Sequence, residues 1–291
     1  MQKIIPNLWY SGTADEAAEF YVQSLPQTKL EENVAYPTEG LADFQLDLAG
    51  KTLTNEISID GFRMILVNAG DEFRPNPAIN FFLNFDAEAT LRATWEKLIV
   101  GGKVLMELNQ YPHSQLYGWV EDKYRVNWQL MLTNPDGDPR PFVVPQLMFC
   151  GPAQNKAAEA TDYYIATIED SAPGNRVTYQ EMGQDAPNGA EVVFSDFQLG
   201  GQWFSAMDSA VDQAFTFTEG VSLMVNCKDQ AEIDKYWDAL SAVPESEVCG
   251  WLKDRWGMSW QIVPENMGEL MERPGAYEKM MQMKKLIIDE F

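Results

Sequence analysis

Apolar and polar positions alternate along this chain in short runs, and at intervals the spacing switches from two residues to that of a helix. Ile4–Tyr10 alternates enough for a strand, with Pro6 marking its start or an edge. Ser11 or Thr13 then caps a predicted helix over 14–25, whose Ala17, Ala18, Phe20, Tyr21 and Leu25 share one face. Alternating runs at 44–48, 53–59 and 62–68 follow as strands, the last two joined at an Asp60-Gly61 turn. A second unit begins with a strand over 78–85 and a helix over 87–100 that Gly101-Gly102 ends. Further strands close that half, the last over 125–132. The predicted order is strand–helix–strand–strand–strand, twice in each half of the chain.

The second half echoes the first. Pro6-Asn7-Leu8-Trp9-Tyr10-Ser11-Gly12 matches Pro145-Gln146-Leu147-Met148-Phe149-Cys150-Gly151. AINFFLNFDAEATLRATWEKL, from Ala78, matches GVSLMVNCKDQAEIDKYWDAL, from Gly220, without a gap. GWVEDKYRVNWQ, from Gly118, and GWLKDRWGMSWQ, from Gly250, share the frame G-W-x-x-D-[KR]-x-x-x-x-W-Q. Three matches in one order indicate two homologous domains, 1–140 and 141–291, joined at the turn-rich TNPDGDPRP of residues 133–141.

Composition narrows the partners. The chain has 291 residues, 45% hydrophobic, with 21 basic and 44 acidic side chains and a net charge of −23. Such a charge repels nucleic-acid backbones and anionic membrane surfaces, and no apolar run is long enough for a bilayer. The N-terminal run reaches a proline too soon for a signal peptide, and Cys150, Cys227 and Cys249 form neither a disulfide framework nor a zinc knuckle. A soluble cytoplasmic protein is the expectation.

The run CGWLKDRWGMSWQIVPE, the opening PQLMFCG, the aromatic pairs Phe20-Tyr21 and Tyr163-Tyr164 and the tail YEKMMQMKKL together resemble the PhnB-like branch of the vicinal oxygen chelate superfamily. That branch often carries a 3-demethylubiquinone methyltransferase-like label, and its wider relatives are glyoxalase, bleomycin-resistance proteins and extradiol dioxygenases. The resemblance implies an α+β fold of paired βαβββ modules forming cupped mixed sheets, two glyoxalase-like domains in tandem. It also implies a fused pseudo-dimer that is monomeric, or a homodimer, in solution.

In metal-using members of the superfamily, each site takes a His from the first strand, a His or Glu from the matching strand of the partner module, and a Glu near the end of the last strand. Here the first-strand positions fall near Pro6 or Asn7 and near Pro145 or Gln146, and the terminal Glu falls on Gln129 and Gln261. Neutral amides supply no negative charge, so no metal or other cofactor is expected. The sole histidine, His113, lies in a loop and is a candidate for proton transfer if that loop closes over a cavity. Cys249 is either a small core residue or a nucleophile that needs Lys253 or Arg255 to lower its pKa. Asp122 and Asp254 read as turn formers, with Gly257 suiting the second turn and Arg125 requiring the first to differ. The tail over 267–291 reads as an amphipathic helix running into a short apolar strand that packs on the sheet or caps its edge.

Nine Trp, 11 Tyr and 15 Phe make an aromatic-rich core, and alternation turns some of them into the cups. Trp9, Trp119, Trp251, Gln129, Gln261 and Cys249 are the candidate ligand-binding residues. They favour metal-independent binding of a small apolar or aromatic molecule over catalysis. The alternative is a divalent-metal isomerase, lyase or dioxygenase with a non-standard ligand set of Glu, Asp, Gln and His113, which needs at least two carboxylates in one cavity; Glu56, Glu107 and Glu191 qualify only if their strands face inward. The glycine pairs Gly101-Gly102 and Gly200-Gly201 end a helix and turn a hairpin, so neither supplies a loop for S-adenosylmethionine. A role confined to one half is a further alternative.

Overall fold

The computed structural model describes residues 2–291; Met1, the first residue of the run read against a signal peptide, lies outside them. Four modules follow one another. The first is β1 (Ile4–Tyr10), α1 (Ala14–Ser24), β2 (Thr28–Ala35), β3 (Thr52–Ile59) and β4 (Phe62–Asn68). The second is β5 (Ile79–Phe85), α2 (Glu88–Leu98), β6 (Lys103–Tyr111), β7 (Ser114–Glu121) and β8 (Asn127–Leu132). The third is β9 (Val143–Phe149), α3 (Ala157–Thr167), β10 (Ala172–Thr178), β11 (Val192–Leu199) and β12 (Gln202–Asp208). The fourth has β13 (Val221–Cys227), α4 (Gln230–Leu240), β14 (Trp251–Lys253) and β15 (Ser259–Pro264), followed by α5 (Met267–Met271) and α6 (Ala276–Gln282).

The modules pair first with fourth and second with third. One sheet runs β14-β15-β13-β1-β4-β3-β2 and the other β10-β11-β12-β9-β5-β8-β7-β6. At the seams, β1 lies antiparallel to β13 with Asn7 opposite Ser222, and β5 antiparallel to β9 with Asn80 opposite Gln146. Each sheet therefore draws one module from each half of the chain. One shared core joins the helix-bearing faces of both sheets, including Ile4, Leu8, Phe81, Trp128, Leu147, Phe204, Leu223 and Trp260. Tyr163 Oη on α3 donates to the Ala239 carbonyl on α4 at 2.6 Å, tying helices of the two sheets together.

Several expectations are corrected. Pro6 lies inside a central strand rather than at its start or at an edge, and Pro145 stands at the matching point of β9. The parallel ladders of β1 with β4 and of β9 with β12 start only at Asn7 and Gln146, one residue beyond each proline's missing donor. Residues 44–48 form a 3-10 turn (Asp43–Leu48) that leaves Phe44 78% exposed. The strand missed by pattern is β2, an outer edge with almost no buried side chain and so no alternation. In the fourth module a 3-10 turn at Pro244–Ser246 stands where the second module has β6, which leaves that sheet one strand shorter. Arg125 adopts a left-handed φ of 69°, as Gly257 does at 84°, so the two Asp turns match after all. Their carboxylates, described below, hold the strained backbone in place.

Candidate functional site

Because the helices cover one face of each sheet, the alternate residues of every strand form the opposite, concave face. In the eight-stranded cup these are Asn80 and Phe82 on β5, Gln129 on β8, Tyr117 and Trp119 on β7, Val144, Gln146 and Met148 on β9, and Trp203 and Ser205 on β12. Pairing sets Gln146 opposite both Asn80 and Ser205, and Gln129 opposite both Phe82 and Trp119. Asn80, Gln129, Gln146 and Tyr117 are all buried. Gln129 Nε2 donates to Asn80 Oδ1 at 2.6 Å and to Gln146 Oε1 at 2.5 Å, and its Oε1 accepts from Tyr117 Oη at 2.5 Å. Burial pushes the Tyr117 phenol up, which keeps it a donor. Phe82, Trp119 and Trp203 stay half-buried around this polar floor. At one wall Arg140 stacks on Trp203, 4.0 Å from its ring centroid, while pairing with Asp196 at 2.8 Å.

The seven-stranded cup carries the same pattern with smaller groups: Asn7, Ser222 and Gln261, where Gln261 Nε2 donates to Ser222 Oγ at 2.9 Å. Trp9 and Trp251 meet edge-to-face at 5.9 Å, and Trp9 meets Phe73 at 5.1 Å. The C-terminal tail covers part of this cup, packing Met267, Met271, Met280 and Leu286 over Met224 and Val263. Its last segment is not a strand: two bonds, from the Cys249 and Gly250 N–H groups to the Met283 and Lys284 carbonyls, cover the edge beside β14.

The candidate residues thus divide between two cups: Gln129 and Trp119 in one, Trp9, Trp251 and Gln261 in the other. Cys249 lies under the tail, its Sγ 3.6 Å from Met281 Sδ, and burial pushes its thiol up to about 11. Lys253 pairs with Glu219 at 2.9 Å and Arg255 stacks on Tyr163, so neither activates that thiol. His113 sits in the tight turn between β6 and β7, its ring 4.8 Å from Tyr117, with its pKa lowered by burial. Of the three glutamates, Glu56 faces the cup but is held by Arg63 at 2.5 Å, while Glu107 and Glu191 are exposed. Asn80 and Ser222 were not singled out in the sequence. The signal was there, since each is a polar residue at the same point of the two mainly apolar repeats, as Asn84 and Asn226 also are.

Asp122 and Asp254 do more than form turns. Asp122 Oδ1 accepts from the Tyr124 and Val126 N–H groups, and its Oδ2 from Tyr21 Oη and Trp128 Nε1. Asp254 repeats this with Trp256, Met258, Tyr164 and Trp260. Each clamps the helix of one module to the last turn of another.

The residues at the superfamily's ligand positions do not fit a divalent cation. In the eight-stranded cup the Gln129 amide turns an N–H donor, Nε2, toward the Asn80 and Gln146 carbonyl oxygens, and three neutral amides supply no negative charge to a hard cation. Among the described residues, no cluster of three or more His, Cys, Asp or Glu has metal-binding geometry.

Comparison with known proteins places this geometry. The chain matches the family described as 3-demethylubiquinone-9 3-methyltransferase over residues 2–131 and again over 141–263. A putative 3-demethylubiquinone-9 3-methyltransferase, PhnB protein, from Bacillus cereus is 27% identical; the match covers 45% of this chain and 100% of that one, with a TM-score of 0.40. Glyoxalase I from Zea mays is 12% identical over 91% of this chain and 95% of its own, with a TM-score of 0.55, a likeness of fold. Comparison with curated proteins gives no match. Among the described residues, no helix is long and apolar enough to cross a membrane.

Proposed function

The chain belongs to the PhnB-like family described as 3-demethylubiquinone-9 3-methyltransferase, and from that premise we propose that its eight-stranded cup binds a small apolar or aromatic molecule without a metal ion. The observation that carries this reading is the Gln129 amide, fixed by Tyr117, Asn80 and Gln146 at the centre of a half-buried aromatic wall. A rigid polar floor under apolar walls orients a ligand by one or two hydrogen bonds while ring contacts supply affinity. Gln146 spends its carbonyl on Gln129, which leaves its Nε2 for a ligand oxygen. The preferred ligand is therefore a flat ring system bearing a carbonyl or hydroxyl oxygen.

The methyltransferase description does not transfer with the family. Gly101-Gly102 follows α2 and Gly200-Gly201 turns the β11–β12 hairpin, so neither opens a helix onto a cofactor phosphate or carboxylate.

Titration with 2-acetylnaphthalene, followed by tryptophan fluorescence, tests the reading. Wild type should bind saturably. Trp119→Ala, and Gln146→Glu, which keeps the acceptor for Gln129 but removes the free donor, should each weaken binding about tenfold or more. Unchanged affinity in both variants would exclude this cup as the site.

A further inference from the structure

Ser259 Oγ and Glu219 Oε2 are buried in the seven-stranded cup with no hydrogen-bond partner among the described residues. Ser259 is 1% exposed. It points to the concave side, because its neighbour Trp260 lies in the helix-side core and its partner across β14 is Lys253. Lys253 Nζ holds Glu219 Oε1 at 2.9 Å, which leaves the other carboxylate oxygen free. A buried oxygen left without a donor is costly, so these two, linked through Lys253, need a reason. Close by stand Trp9, Phe73 and Trp251, the last on the same strand and face as Lys253.

The cup has a roof. Seven strands set its two rims about 29 Å apart along the sheet, at about 4.8 Å per strand. Yet α6 touches both rims: Tyr277 meets Tyr36, just after β2, at 6.4 Å, and Met281 Sδ meets Cys249, just before β14, at 3.6 Å. Those two α6 residues are only about 6 Å apart along the helix axis, so the sheet curls until one short helix bridges its mouth. The tail packs on the Met224 and Val263 end, whereas Trp9 and Trp251 stay half-buried.

We infer that this flank of the seven-stranded cup is a second small-molecule site, for a flat aromatic molecule carrying an ammonium or other N–H donor that reaches Glu219 Oε2 and Ser259 Oγ. The donor satisfies both orphaned oxygens, and the tryptophans take the ring or the cation. A net charge of −23 draws cations toward the chain. The eight-stranded cup offers an amide donor and suits a ligand acceptor; this one offers acceptors and suits a ligand donor.

The probe is tryptamine, compared with indole-3-acetate, on full-length protein labelled with 5-fluorotryptophan, with fluorine resonances assigned by Trp9→Phe and Trp251→Phe. Tryptamine should shift the Trp9 and Trp251 resonances saturably, and indole-3-acetate should bind about tenfold more weakly or not at all. Glu219→Gln should weaken tryptamine about tenfold, whereas Trp119→Ala and Gln146→Glu should leave it within about twofold. Ser259→Ala removes an unpaired oxygen, so it should be at least as stable as wild type and still bind tryptamine more weakly. No shift at millimolar tryptamine, unchanged affinity in both Glu219→Gln and Ser259→Ala, or loss of binding in Trp119→Ala would each overturn the assignment. Loss in Trp119→Ala would move the ligand to the other cup, so the two sites stand or fall separately.

Discussion

Asp122 accepts four hydrogen bonds in a fully buried setting, and its titration carries a prediction. Burial pushes its carboxyl up to about 6, while the Trp128, Tyr21, Tyr124 and Val126 donors pull the other way. The folded chain therefore holds this proton more tightly than the unfolded chain, where an aspartate titrates near about 3.9. The resulting stability is fully present below about pH 4 and is lost as pH rises through about 6. Asp122→Asn carries no such proton. Between about pH 4 and pH 7 the urea midpoint of wild type should fall relative to that of Asp122→Asn; parallel midpoints would contradict this. The same residue shows what was legible in the sequence. The repeated D-[KR]-x-x-x-x-W-Q frame was visible, but its division of labour was not. Its Trp turns inward to the Asp, while the next residue, Gln, points into the cup. Alternation predicts opposite faces, but only the sheet pairing says which face holds the helices.

At the scale of elements, the tail does what no strand in the fourth module does: it covers the edge beside β14 and closes one end of the seven-stranded cup. Periodicity found an amphipathic helix there. It could not find that the helix spans two rims far apart in sequence, just as it missed β2, whose exposed edge carries no apolar signal. Cys249 reports on this closure. With its thiol pushed up to about 11 and its sulfur against Met281, it should react with iodoacetamide at pH 8 more than about tenfold slower than a free cysteine. Met283→Ala, which loosens the tail beside it, should raise that rate in a peptide-resolved mass-spectrometric time course. Equal rates in the two proteins would mean that the tail does not guard the thiol.

In the whole molecule, both sheets are composite, because β1 pairs with β13 and β5 with β9. The repeat was plain in the sequence, and with it the fold family, since motif order survives divergence. Which module pairs with which was not, because the seams lie between strands more than 50 residues apart in the chain. The halves should consequently stay together when the exposed linker is cut. A protease site placed between Asn134 and Asp138 should yield two fragments that co-elute as one native particle; fragments that separate without denaturant would refute the interlaced arrangement. The central claim is that amides have replaced metal ligands on the floor of the eight-stranded cup and bind without an ion. Elemental analysis tests this most directly, on tag-free protein purified without chelators and then incubated with Ni(II), Zn(II), Mn(II) or Fe(II). No ion above background and no thermal shift are expected. About one tightly held ion per chain, lost in Gln129→Leu, would contradict that claim.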